Sequence, residues 1–184
     1  SAAAVAADMV PFAIGTQTAG SVIRPASFCG IVGFKPTFGA IPRTGVLCQS
    51  QSLDTLGVFA KSVEGAALLA DSLFGYDPKD AASAPRPAPR LLNLALSEPP
   101  VTPSFAFVRQ PAWSSADADT HEAFEELVEF LGDDCEEIEL PPEFTEALSR
   151  REIVNLSEMA YNYFHYESRG VERLSAKMRA ALER

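Results

Sequence analysis

The sequence predicts a mixed α/β fold, in which strands and helices alternate and at least part of the sheet is parallel. Short apolar runs are separated by segments whose apolar residues recur every three or four positions, which is the helical spacing. Hydrophobic residues make up 47% of the chain and charged residues 22%, as in ordinary folded proteins. The length of 184 residues allows one domain and little more.

The first 80 residues combine helix and strand patterns. Residues 1–8 are an alanine-rich helical run, and Ser62 is a good N-cap for a second helix that ends at Gly75. Residues 15–30 are rich in Gly, Ser and Thr but poor in charge, which favours a buried functional loop. The predicted strands are 10–15, 31–34 and 56–60.

The second half begins with a compositional break at residues 81–90, AASAPRPAPR, whose prolines favour an extended surface connection. Asp119 and Glu122 form a capping-box pattern that opens a helix with one apolar face. Residues 143–184 are predicted to be mostly helical, with a weak point at Gly170. The predicted strands are 91–96, 105–109 and 135–140.

Charge and cysteine content exclude several classes of function. The formal net charge of −10 disfavours nucleic acid and anionic membrane surfaces as partners. Three widely spaced cysteines without a CxxC pair indicate reduced thiols rather than disulfides or a zinc site. The longest apolar stretch, residues 1–14, is interrupted by Asp8 and Pro11 and lacks the basic start of a signal peptide. We therefore expect a cytoplasmic protein without a metal.

The informative segment is GTQTAGSVIRPASFCGIVGFKPTFG, residues 15–39. Gly15, Ala19 and Gly20 leave room for a ligand to approach the backbone closely. Ser21 follows directly, so its hydroxyl and several successive N–H groups can face the same point. Such an arrangement can hold an oxyanion.

A serine is a poor nucleophile without a base. The two histidines, His121 and His165, lie in segments of structural character, so a Ser-His-Asp triad is not supported. A G-x-S-x-G turn is absent as well, because Val22 and Ile23 follow Ser21.

Residues 15–39 resemble the core of the amidase signature family, approximately G-T-D-T-G-G-S-I-R-x-P-A followed by G and G-x-K-P-T. A later stretch, SLDTLG at 52–57, is also similar. The resemblance implies an α/β/α sandwich around one mixed sheet, with strands from 1–80 and 91–141, and no cofactor. The matching positions are Gly15, Thr16, Thr18, Gly20, Ser21, Pro25, Ala26, Gly30, Gly33, Lys35, Pro36 and Thr37.

The resemblance also implies a site for hydrolysis of a small-molecule amide. Ser21 corresponds to the nucleophile that forms an acyl-enzyme and that acts with a cis-serine and a lysine. The backbone N–H groups of Thr18, Ala19, Gly20 and Ser21 correspond to the oxyanion hole.

Three positions depart from the family pattern. Gln17 replaces the usual Asp, Ala19 replaces the first Gly of the pair, and Arg24 is displaced by one position. In this detail the chain is similar to malonamidase-like members, so Arg24 could bind a substrate carboxylate through two hydrogen bonds. The alternative is that Arg24 pairs with an internal acid such as Asp54.

The family's lysine and cis-serine precede the nucleophile and have no counterpart here, since Lys35 matches a structural lysine and Ser1 lies too late. We therefore expect residues 1–184 to be a single partial amidase domain: a signature region at 1–80, the connection 81–90, and the remainder at 91–184. The missing N-terminal part of the same enzyme is then a required partner, and the isolated chain is inactive. A catalytically silent amidase-like binding module and an amidotransferase subunit remain open as alternative functions, and a homo-oligomer remains open as the assembly.

Overall fold

The computed structural model describes residues 1–182, apart from the side chains at 167 and 168. It is a mixed α/β structure, as predicted, with two compact units: Ser1–Ser97 together with the chain from Ile153, and Glu98–Glu152. The helices and strands are α1 (Ala2–Ala6), β1 (Phe12–Gln17), α2 (Ile23–Phe28), β2 (Val32–Phe34), β3 (Thr55–Ala60), α3 (Val63–Leu73), α4 (Leu91–Ala95), β4 (Phe105–Val108), α5 (Ala118–Leu131), β5 (Cys135–Ile138), α6 (Ala147–Gly170) and α7 (Ala176–Leu182).

The first unit is built on an antiparallel sheet with the strand order β1-β3-β2. Side chains alternate between the two faces of a strand, so neighbouring residues of the central strand β3 enter different clusters. Phe59 packs with Val5 of α1 and Ala26 of α2 on one face. Val58 and Ala60 pack on the other face against α3. The unit is therefore layered as helix, sheet and helix.

The second unit contains the parallel pair β4-β5, with α5 between the two strands in the chain. Phe107 of β4, Trp113 and Phe124 of α5 form an aromatic cluster with ring centroids 5.4 to 5.9 Å apart. The predicted capping box is displaced: α5 begins after Asp117, whose carboxylate accepts a hydrogen bond from the Thr120 backbone N–H at 2.8 Å. The helix thus starts before the expected Asp119.

Two local predictions were wrong. Residues 91–96, predicted as a strand, form the short helix α4, because the Asp71 carboxylate accepts hydrogen bonds from the Leu91 and Leu92 backbone N–H groups at 2.8 and 2.9 Å. Residues 15–30, predicted as a loop, contain α2. Both helices begin at N–H groups whose acceptors lie elsewhere in the chain, and such acceptors are invisible to local patterns.

The predicted helix cap and the predicted connection are confirmed, whereas the prediction of a single sheet is wrong. Ser62 caps α3 as predicted, by accepting a hydrogen bond from the Gly65 N–H at 3.1 Å. Residues 81–90 carry no helix or strand and are mostly exposed, as predicted. Within residues 1–182, however, the strands of 1–80 and of 91–141 lie in two sheets rather than in one. Strand patterns in a sequence do not identify hydrogen-bonding neighbours.

Candidate functional site

The segment that follows β1 is held against the sheet by close packing at glycines. A Cβ atom on Gly33 of β2 would lie 2.5 Å from the Ala26 Cβ and 3.1 Å from the Val22 carbonyl oxygen. A Cβ atom on Gly15 of β1 would lie 2.7 Å from the Phe59 ring. Only glycine permits these approaches. The approach at Gly33 seats α2 on the sheet, and the approach at Gly15 lets the Phe59 ring of β3 pack against β1.

Gln17 closes the base of this turn. Its buried side-chain carbonyl oxygen accepts hydrogen bonds from the backbone N–H groups of Val22 and Ile23, at 2.9 and 3.0 Å. These donors belong to the start of α2, which has no capping side chain of its own. The residue that departs from the family pattern at 17 therefore has a definite structural role, as the acceptor that begins α2.

Thr18 is fixed from the opposite direction by Asp54. The Thr18 hydroxyl donates a hydrogen bond to one carboxylate oxygen of Asp54 at 2.5 Å. The other carboxylate oxygen accepts hydrogen bonds from the backbone N–H groups of Gln49 and Ser50, at 2.7 and 2.9 Å. Asp54 is buried, with 7% of its surface exposed, and it ties the turn to the 49–54 segment.

The predicted site residues Thr18, Ala19, Gly20 and Ser21 lie together in the turn between Gln17 and α2. Ser21 is exposed, and its hydroxyl forms no hydrogen bond with any other described residue. Among residues 1–182, no group accepts a hydrogen bond from the four backbone N–H groups of this turn. The turn therefore contains one exposed hydroxyl and four backbone N–H groups that have no acceptor among residues 1–182.

Arg24 lies on the same surface. Its side chain is exposed and forms no ion pair with any described residue, and its Cζ and Nε atoms lie 3.8 Å from the position of a Cβ on Gly20. The alternative pairing with Asp54 is not formed. The Asp54 carboxylate instead accepts hydrogen bonds from Thr18, Gln49 and Ser50.

Three polar residues of α6 contact the segment that holds Asp54, and the sequence does not predict them. Asn155, Glu158 and Asn162 of α6 hydrogen-bond to residues 49–52, more than 100 positions away in the chain. The only signal available was their spacing of three and four residues, which places polar side chains on one helix face. That spacing is equally typical of a solvated surface.

Burial and the charge of Asp54 change the pKa values of neighbouring side chains. Burial, followed by the nearby charge of Asp54, raises the pKa of the Cys48 thiol. The same two causes raise the pKa of Tyr163. Both groups therefore stay protonated at neutral pH, and the Cys48 thiol is a poor nucleophile. A hydrogen bond from the Ser50 hydroxyl lowers the pKa of Glu158 and keeps it ionised.

Asp54 also lines a cavity of about 190 Å³ together with Arg43, Cys48 and Asp80. Within the described residues, no group of three or more His, Cys, Asp or Glu side chains is arranged to hold a metal ion. No helix among them is long and apolar enough to cross a membrane.

Residues 1–182 match the protein-family model described as Amidase. Among curated proteins, a glutamyl-tRNA(Gln) amidotransferase subunit of Picosynechococcus sp. is 35% identical over 173 residues. That alignment covers 91% of this chain and 36% of the relative.

Solved structures support the same relationship. A chain from a vestigial protein complex, described as revealing the evolutionary origins of an s-triazine catabolic enzyme, superposes with a TM-score of 0.88 at 26% identity. The match covers 100% of this chain and 39% of that one. The corresponding glutamyl-tRNA(Gln) amidotransferase subunit of Thermotoga maritima has a TM-score of 0.75 at 30% identity, covering 98% and 38% respectively. This chain thus spans well under half the length of these relatives.

Proposed function

The chain belongs to the amidase family, and on that premise we propose that it carries the acyl-forming serine, Ser21, of an enzyme that cleaves a carboxamide C–N bond. One observation carries the proposal: the exposed Ser21 hydroxyl adjoins four backbone N–H groups that have no acceptor within the described chain. Gln17 and Asp54 fix the two ends of that turn. Donors held in place before the reaction are those that stabilise a developing oxyanion best.

In the proposed reaction, the Ser21 oxygen attacks the amide carbonyl carbon while a base takes the hydroxyl proton. The carbonyl oxygen becomes an oxyanion and accepts hydrogen bonds from the N–H groups of residues 18–21. The C–N bond then breaks, the nitrogen leaves with a proton as ammonia or an amine, and an acyl ester remains on Ser21. Water hydrolyses that ester and releases the acid.

The base is proposed to come from residues outside 1–184. No lysine or histidine of the described chain hydrogen-bonds to the Ser21 hydroxyl, and Lys35 donates its hydrogen bond to the Pro36 carbonyl at 2.7 Å. General-base assistance contributes roughly 10²–10⁴-fold in rate. We therefore expect negligible amidase activity from residues 1–184 alone. Turnover of a simple amide by this chain that is abolished in Ser21→Ala would contradict the assignment of the base.

Arg24 supports a preference for small amides that carry a carboxylate. Its guanidinium lies against the turn at Gly20 and has no ion-pair partner in the described chain. A guanidinium can bind a carboxylate through two parallel hydrogen bonds, which orients the substrate as well as attracting it.

The proposal is tested by replacing Ser21 in the complete protein. Ser21→Ala is expected to lower kcat/KM for a small amide by at least about 10³-fold, because it removes the nucleophile. Ser27→Ala is the matched control, since Ser27 is an exposed serine of α2 outside the turn, and we expect near-normal turnover. Mass spectrometry of the protein trapped with a slow ester should place the acyl group on Ser21. Activity that persists in Ser21→Ala, with no acyl adduct, would refute the proposal.

A second candidate is part of an amidotransferase, which is favoured by the 35% identity to the glutamyl-tRNA(Gln) amidotransferase subunit of Picosynechococcus sp.. An amidotransferase component of this kind would release ammonia for use at another active site, whereas an amidase would act by itself. The two are separated by measuring release of ammonia from glutamine and from simple amides, with and without co-purified proteins. Turnover that depends on glutamine and on a partner would favour the amidotransferase.

A further inference from the structure

The helix α6 presents three polar side chains to the segment 48–52. The Glu158 carboxylate accepts hydrogen bonds from the hydroxyls of Ser50 and Ser52 and from the Ser52 backbone N–H. Asn155 accepts a hydrogen bond from the Gln49 side chain at 2.9 Å, and Asn162 donates one to the Gln49 carbonyl at 3.1 Å. Residues 49–52 are therefore held by side chains of a helix that lies far away in the chain.

The same segment holds Asp54 in place. The backbone N–H groups of Gln49 and Ser50 converge on one oxygen of the Asp54 carboxylate, and Ser50 is completely buried. The second oxygen of that carboxylate accepts the hydrogen bond of Thr18. Hydrogen bonds thus connect Glu158 to Ser50, Ser50 to Asp54, and Asp54 to the first residue of the Ser21 turn.

We propose that Asp54 is a positioning residue, which orients the turn of residues 18–21 (the Ser21 turn) through the Thr18 hydroxyl. Glu158 of α6 holds Ser50, and Ser50 in turn holds the Asp54 carboxylate in place. This inference rests on the proposed function of Ser21. Within the described chain, the Thr18 side chain is the only side-chain anchor of the turn on its β1 side, whereas Gln17 holds only the far end, at Val22 and Ile23. Freeing Thr18 would let the peptide planes of residues 18–21 rotate away from the oxyanion.

The chemistry of the three donors to Asp54 indicates which substitution keeps the link to Thr18 and which removes it. Two of them are backbone N–H groups, which cannot accept a hydrogen bond, but the Thr18 hydroxyl can both donate and accept. An asparagine at position 54 could therefore keep its oxygen on Gln49 and Ser50 and donate its NH₂ to Thr18. Asp54→Asn should preserve the link to Thr18, whereas Asp54→Ala removes it.

The test uses four single variants of the complete protein, Asp54→Ala, Asp54→Asn, Thr18→Val and their matched control Asp71→Ala, together with the double variant Asp54→Ala/Thr18→Val. Asp71 also accepts two backbone hydrogen bonds in the same unit, but its donors are Leu91 and Leu92 rather than residues of the turn. Misplacing catalytic donors by about 1 Å costs up to about 10²-fold. We therefore expect Asp54→Ala and Thr18→Val each to lower kcat by about 10- to 100-fold, with KM changed less than about threefold.

Two comparisons separate positioning from general destabilisation. Asp54→Asn should recover most of the kcat lost in Asp54→Ala, and the double variant Asp54→Ala/Thr18→Val should be no slower than the worse single variant. Asp71→Ala should lower the melting temperature and leave kcat near the wild-type value. If Asp54→Ala matches Asp71→Ala in kcat, or if the two losses multiply, the inference is overturned. If Asp54→Ala does not fold, an unchanged kcat in Thr18→Val overturns it, and a tenfold loss there supports it.

A readout without catalysis keeps this inference distinct from the proposed function. In hydrogen–deuterium exchange, the Val22 and Ile23 amides should exchange faster in Thr18→Val than in Asp71→Ala, because the turn they close has lost its anchor. If the wild-type protein hydrolyses no amide, the proposed function fails, and this exchange difference still decides the positioning role. Equal exchange rates in the two variants would overturn it.

Discussion

Replacing Asp80 with asparagine tests how firmly the segment beside Asp54 is held. The Asp80 carboxylate accepts hydrogen bonds from the Arg43 backbone N–H, from the Arg43 guanidinium and from the Ala82 N–H, at 2.8 to 3.3 Å. The side chains of Arg43 and Asp80 are 15% and 6% exposed. Arg43 in turn donates hydrogen bonds to the carbonyl groups of Gln51 and Asp54, at 2.9 and 3.0 Å.

The size of the effect follows from the pKa of Asp80. The hydrogen bond from the Arg43 side chain, partly opposed by desolvation, lowers the pKa of this carboxyl from 3.8 to about 2. That difference corresponds to roughly 2 kcal/mol of folding free energy. Because the folded-state pKa is depressed, the contribution is complete above the unfolded pKa of 3.8 and is lost as the pH falls towards about 2.

The assay is urea unfolding of wild-type protein and Asp80→Asn at pH 7 and at pH 3. We expect the variant to be less stable by about 2 kcal/mol at pH 7, and the difference to shrink to about half at pH 3. Asp8→Asn is the control, because Asp8 forms an exposed ion pair with Lys61 and its side chain is 80% exposed. Its unfolding midpoint should barely move. A difference below about 0.5 kcal/mol at pH 7, or one that is equal at both pH values, would refute the reasoning.

Three further predictions concern substrate binding and packing. Arg24→Ala in the complete protein should lower kcat/KM about 10- to 100-fold more for an amide with a carboxylate than for a neutral amide. Arg24→Lys should give an intermediate loss. Equal losses for both substrates would contradict the proposal that Arg24 binds a substrate carboxylate. Gly33→Ala should destabilise the fold by about 1–3 kcal/mol, because its Cβ would meet the Ala26 side chain; a melting curve like that of the wild type would contradict this. Ser62→Ala should cost about 1 kcal/mol by removing the hydrogen bond from the Gly65 N–H, and urea unfolding checks it against Ser62→Thr, which keeps the cap.

Local patterns predicted the elements whose causes are local. Ser62 caps α3 through a donor three residues away, and the apolar runs at β2 and β3 are short, continuous strands. Local patterns did not predict α4 and α2, because these helices begin at N–H groups whose hydrogen bonds are accepted by Asp71 and Gln17. An acceptor that lies 20 positions away, or on the preceding strand, leaves no mark in the pattern of the helix it starts.

The sequence alone determined the family resemblance and the position of Ser21, because a run of glycine, serine and threonine at fixed spacing is contiguous in the chain. Only the tertiary structure decided how that run is held: Asp54 contacts Thr18 across 36 positions, and Glu158 contacts Ser50 across 108. Burial makes the contacts of Asp54 necessary, because a buried carboxylate is stable only when its oxygens accept hydrogen bonds from donors. Those donors come from whichever segments the folded chain brings together, and no spacing in the sequence specifies them.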